Sequence, residues 1–126
     1  MDRLRQRADF LAAASGPRVA TPGFIVQGRF RDDSGPSRIG LTISKKVGSA
    51  VERNRVRRRL CELVRRRGAP LMRPHCDYVL VGRRAALGRP FATLGEDLVF
   101  ALGRLDTQLS KRSGTKRTKT SGPDGN

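Results

Sequence analysis

Ile39-Gly40-Leu41-Thr42-Ile43-Ser44-Lys45-Lys46-Val47-Gly48-Ser49-Ala50-Val51-Glu52-Arg53-Asn54-Arg55-Val56-Arg57-Arg58-Arg59-Leu60 passes from one periodicity to another within 22 residues. Ile39, Leu41 and Ile43 alternate with Gly40, Thr42 and Ser44, which is the pattern of a half-buried strand. The strand is read as residues 38–45 and runs into Lys45-Lys46. Ser49 and Glu52 then have the spacing of a capping box, in which each side chain bonds the other residue's backbone N–H. From there Val56, Leu60, Leu63 and Val64 recur at i, i+4, i+7 and i+8, so they form the buried stripe of a helix over 50–67. Gly68 is expected to end it in the left-handed conformation, and Pro70 forbids continuation.

Upstream, residues 24–30 (Phe-Ile-Val-Gln-Gly-Arg-Phe) read as a strand with Phe24, Val26 and Phe30 on one face and Gln27 and Arg29 on the other. It is joined to the strand at 38–45 by a turn at 32–36 and is expected to pair with it antiparallel. Residues 8–15 read as a short helix that stops at Gly16-Pro17. Downstream, residues 77–83 are apolar on both faces, as in a central strand. Thr93 and Glu96 suggest a second capping box, opening a helix whose stripe is Leu94, Leu98, Ala101, Leu102, Leu105 and Leu109. The order helix, strand, strand, helix, strand, helix predicts an α+β fold, a small sheet with helices packed on it in an α/β sandwich. It forms one domain over residues 1–110. Residues 111–126 carry almost nothing apolar and a net charge of +4, and read as a disordered basic tail.

The 126 residues carry a net charge of +16, and 22 of the 27 basic residues are arginine. That excess points to a polyanionic partner, and the bidentate, stacking guanidinium suits RNA. No apolar run is long enough to span a bilayer and no signal-length apolar region follows the basic start, so the expected location is the cytoplasm, with no membrane partner. Cys61, Cys76 and His75 fall one ligand short of an ordinary structural zinc site. The charge concentrates between Arg38 and Arg67, where 11 basic residues face only Glu52 and Glu62. With the apolar stripe turned inward, Asn54, Arg57, Arg58 and Arg65 fall opposite it, and Arg55, Arg59 and Arg66 fall on one flank. Arg53–Arg57 and Arg55–Arg59 are like-charged pairs that repel at helical spacing, so an external anion is expected to relieve them.

These residues resemble the signature of the bacterial ribonuclease P protein component: a strand ending in Ser-Lys-Lys, then a Gly, then Ala-Val-x-Arg-Asn-Arg-x-basic-Arg on a helix. A weaker resemblance runs from about Leu4 to Leu109. It implies a fold like the second domain of ribosomal protein S5, with a left-handed βαβ crossover against the usual right-handed rule. It implies that Arg53, Asn54, Arg55, Arg57, Arg58, Lys45 and Lys46 bind the catalytic RNA subunit. It also implies that a cleft between the first helix and the sheet takes the single-stranded 5′ leader of precursor tRNA, contacted by Phe10 and Gln27. Where the family often has aromatics one turn after Phe10 and on the strand, this chain has Ala14 and Gln27; Phe10 itself could instead be plain core. The implied assembly is a 1:1 ribonucleoprotein. The RNA performs the hydrolysis with magnesium, and the protein alone binds no cofactor. The scattered carboxylates and single histidine offer no catalytic site of the chain's own. The rival readings are a structural or ribosomal RNA-binding protein with no role in cleavage, and a self-sufficient nuclease.

Overall fold

The computed structural model describes the backbone of residues 2–31 and 35–117, and side chains as far as residue 109. The elements are β1 (Asp2–Arg3), α1 (Arg7–Ala14), β2 (Arg18–Ala20), β3 (Phe24–Phe30), β4 (Arg38–Thr42), α2 (Ala50–Leu63), β5 (Cys76–Gly82) and α3 (Phe91–Arg117). They form the expected α+β architecture, around one sheet in the order β1-β4-β5-β3-β2.

The expected antiparallel pairing of β3 with β4 does not occur. β5 lies between them, antiparallel to β3 and parallel to β4. The physical reason lies in the connections. β4 returns to β5 through α2, and a helical crossover delivers the next strand parallel to the first. β5 is apolar on both faces, so it takes the doubly covered central place. β1 and β2, only two and three residues long, extend the sheet at its two edges.

The sheet faces are unequal. Phe24, Val26, Tyr78 and Leu80 enter the large core with the α2 stripe (Val56, Leu60, Leu63, Val64) and the α3 stripe (Leu94, Leu98, Ala101, Leu102, Leu105, Leu109). Both stripes are the ones read from periodicity. The opposite face holds a small cluster of Leu4, Ala13 and Val79, with Phe10 and Val81 against it.

Three element boundaries differ from expectation. Gly68 is right-handed at φ −91°, not left-handed. α2 passes through a wide turn at Val64–Gly68 and a tight one at Ala69–Leu71 before the chain extends at Met72. Gly68 instead gives a close approach, since a Cβ there would stand a tight 3.0 Å from Leu98 Cδ2. Thr93 caps nothing. α3 begins at Phe91, and the Leu94 N–H donates to the Pro90 carbonyl at 2.9 Å. A proline at a helix start sacrifices no bond, because its missing N–H would be free there. β4 stops at Thr42, and Lys45–Val47 form a single tight turn that buries Val47. Residues 32–34 of the expected turn lie outside the described residues. Of the expected tail, the backbone to Arg117 continues α3, and residues 118–126 lie outside them too.

At one end of β5 the carboxylate of Asp77 is fully buried. Arg38 donates to both of its oxygens at 2.8 Å and Arg31 donates to Oδ1 at 2.6 Å. Burial raises this carboxyl, but the hydrogen bonds from Arg38 and Arg31 outweigh it and hold it below its ordinary value of 3.8. A depressed folded-state value means stability that is complete above that ordinary value and is lost as pH falls below it. Removing one partner of such a buried pair costs about 3–5 kcal/mol. Asp77→Asn is therefore expected to lower stability by that order in urea unfolding at pH 7. The gap between variant and wild type should shrink as the titration is taken into the acid range.

Candidate RNA interface

α2 is set by its start and its stripe. Ser49 Oγ accepts from the Glu52 N–H at 3.2 Å and Glu52 Oε1 accepts from the Ser49 N–H at 3.0 Å, which completes the expected capping box. With Val56, Leu60 and Leu63 fully buried, the helix has no freedom about what it shows outward. Asn54, Arg55, Arg57 and Arg58 are exposed, Arg53 is part-buried, and Lys45 and Lys46 are exposed on the turn before it.

The two acids of this helix are already engaged. Glu52 takes two hydrogen bonds from Arg84, at 3.1 and 3.0 Å, and that guanidinium is the main reason its carboxyl is lowered to about 2. Glu62 pairs with Arg65 and Arg66, each at 2.5 Å, and not with Arg58 or Arg59. Among the described residues no ion pair joins Lys45, Lys46, Arg53, Arg55, Arg57 or Arg58 to a carboxylate. The outer face is thus a field of free cations carried on a rigid helix. Arg59 behaves differently: it donates to the Arg89 carbonyl, and it and Arg66 each stand 6.0 Å from the centre of the Phe91 ring.

Phe10 and Gln27 meet in a separate place. They line one cleft of about 530 Å³ between α1 and the small-core face of the sheet, floored by Val79 and Val81, with Arg5 and Arg7 at its rim. Ala14 stands on its α1 wall, so the cleft is open where an aromatic would narrow it. Gln27 is 8% exposed, more enclosed than a surface strand position. The Phe10 ring is part-buried and lies over Gly40, where an added Cβ would come within 2.5 Å of Cε1. Phe10 is therefore at once packing and cleft wall. Of the α2 arginines in question, Arg57 shares a second cavity with Phe10.

The Asp77 cluster escaped sequence reading. Arg29 stands 3.6 Å from Asp77, and Arg29 and Arg38 reach Asp9 of α1 at 3.9 and 3.5 Å. Its only trace in the sequence is a single carboxylate inside the apolar run Cys76–Gly82. Cys61 is exposed on α2 and Cys76 buried in β5. Among the described residues no three His, Cys, Asp or Glu side chains gather as a metal site would require. Nor is any described helix long and apolar enough to cross a membrane.

The family model described as Ribonuclease P matches residues 1–106. The ribonuclease P protein component of Gluconacetobacter diazotrophicus is 54% identical over 99 residues, covering 76% of this chain and 84% of the relative. That of Brucella suis is 40% identical over 123 residues, covering 91% of this chain and 85% of the relative. Among solved structures, the RNase P protein from Thermotoga maritima superposes with a TM-score of 0.68 at 29% identity, covering 82% of this chain and 97% of that one. A Staphylococcus aureus RNase P protein shares the fold, with a TM-score of 0.70 at 24% identity over 86% of this chain and 98% of that one.

The contact of Phe10 with Gly40 can be isolated. Gly40→Ala is expected to cost about 1–3 kcal/mol, the usual range for overpacking. In a Phe10→Ala background the same change should cost little, because the obstructing ring is gone. Urea unfolding of the two single variants and the double variant measures the coupling.

Proposed function

The chain belongs to the bacterial ribonuclease P protein family, the protein part of an endoribonuclease that matures tRNA 5′ ends by RNA catalysis, and on that premise we propose which of its surfaces does what. The α2 face with Arg53, Asn54, Arg55, Arg57 and Arg58, together with Lys45 and Lys46, docks on the catalytic RNA. The observation that carries this reading is the pairing pattern: the acids of α2 are consumed by Arg84, Arg65 and Arg66, which leaves the outward cations for phosphates. The cleft bounded by Phe10 and Gln27 takes the 5′ leader of precursor tRNA, with Arg5 and Arg7 meeting the backbone and the Phe10 ring meeting a base. Magnesium belongs to the RNA, the complex is one protein to one RNA, and it works in the cytoplasm.

Two experiments test the assignments. Replacing Arg57 and Arg58 by Ala removes two exposed cations without touching the buried stripe. The variant should keep its circular dichroism and bind the RNA subunit more weakly, with a log–log salt slope shallower by about two. An unaltered dissociation constant across the salt range removes this face from the interface. For the cleft, Phe10→Leu keeps apolar contact with Gly40 but loses the aromatic face. A stacked base contributes about 1–3 kcal/mol, so the holoenzyme should bind precursor tRNA at least about fivefold more weakly while mature tRNA is unaffected. Equal losses for both tRNAs would assign Phe10 to packing alone.

A further inference from the structure

Behind the Phe10 ring is a second cavity, of about 450 Å³, that Phe10 and Leu41 share with the leader cleft. It exists because the sheet edge is incomplete. β1 pairs with Arg38 and Ile39, so among the described residues the outer edge of β4 beyond Ile39 has no neighbouring strand, and the space between the α1 and α2 layers opens there.

The lining has two chemical halves. Leu4, Ile39 and Val64 give apolar walls beside the ring of Phe10. Arg57 and Cys61 stand one turn apart on α2, Arg65 follows in the wide turn after it, and Arg3 of β1 also lines the cavity. Arg65 is held by Glu62, whereas among the described residues no ion pair engages Arg3 or Arg57. An apolar slot with an aromatic wall suits a planar ring, and two exposed guanidiniums in its lining, Arg3 and Arg57, suit a phosphate. Together they are the recognition chemistry of a nucleotide.

We propose that this cavity receives one nucleotide of single-stranded RNA, its base between Phe10 and Val64 and its phosphate at Arg3 and Arg57. The proposal rests on the reading of Phe10 as the border of an RNA path, and it extends that path around the ring toward the α2 face. The nucleotide comes either from the far end of the leader or from the RNA subunit, and the two sources separate in the test.

Cys61 provides the handle, since it lies on the exposed wall of α2 while Cys76 is buried. Cys61→Trp fills the cavity from outside the core. Val99→Trp, on the outer side of α3, is the control for an added surface indole. The RNA subunit, mature tRNA and precursor tRNAs with leaders of increasing length are each titrated. Cys61→Trp should weaken one partner by about tenfold, within the range for a stacked base. Loss confined to the longer leaders identifies the leader, and loss with the RNA subunit identifies the subunit. A variant with wild-type melting and all affinities within twofold overturns the proposal. Should Cys61→Trp not fold, maleimide labelling of Cys61 in the wild-type chain decides the matter: RNA must slow it, and an unchanged rate in the full complex overturns the site. If replacing Arg5 and Arg7, which line the leader cleft and not this cavity, by Ala weakens leader binding while Cys61→Trp changes nothing, the leader cleft stands and this cavity falls. The reverse result leaves the cavity and removes the cleft.

Discussion

A single buried carboxylate aligns the sheet on which everything else rests. Asp77 is cross-strand partner to Arg29 on β3 and to Arg38 on β4, so its two lateral neighbours are both guanidiniums. A one-residue slip of β5 would send Asp77 into the apolar core with α2 and α3, because strand side chains alternate faces. An unpaired charge there costs far more than the ladder bonds that a slip would preserve. Arg31, only 5% exposed, completes the cage and also donates to the Pro36 carbonyl at 2.6 Å, which ties the start of β4 to the end of β3. Asp9 links the same arginines to α1. The cluster thus ties α1, which carries Phe10, to the sheet.

The alignment divides the labour of the two faces. Large side chains from α2 and α3 pack one side, and stability comes chiefly from there. The α1 side is kept shallow by small residues: Ala13 is buried, Ala14 lines the cleft, and Gly40 leaves room for one ring. A thin layer over a rigid sheet leaves a groove, and the groove stays open because little apolar surface remains to close it. Arginine is divided in the same way. Arg31, Arg38, Arg84 and Arg89 are bound into the fold by Asp77, Glu52 and Asp97, while Arg55, Arg57 and Arg58 face solvent.

This division explains what could be read from the sequence. α2, its cap and both buried stripes follow from local periodicity, which is present in any window of a dozen residues. The basic face of α2 follows too, since it is the complement of the stripe. Sheet order does not: β3 and β4 are each strand-like, and nothing within them says that a strand more than 30 residues later will come between them. β1 and β2 are too short to show a period. Thr93-x-x-Glu96 had the form of a capping box, yet Pro90 had already started the helix. The cleft residues Phe10 and Gln27 were legible only through family resemblance, and the partners that shape their surroundings, Gly40 and Asp77, lie 30 to 67 residues away from Phe10.

The free arginines bear on folding as well as binding. Each like-charged pair at helical spacing, such as Arg53–Arg57 or Arg55–Arg59, costs an isolated helix about 0.2–0.5 kcal/mol. The cap, the Glu62 pairs and above all the buried stripe offset that repulsion, so α2 is formed before any RNA arrives. Pre-formation matters because ordering a flexible basic segment on binding would subtract from affinity. On the proposed docking, phosphates at this face would supply attraction and also remove the repulsion already present in the folded helix. By linkage, a ligand that binds only the folded chain stabilises it. If RNA docks on this face as proposed, the same cations that strain α2 in the free protein would couple its stability to occupancy by RNA.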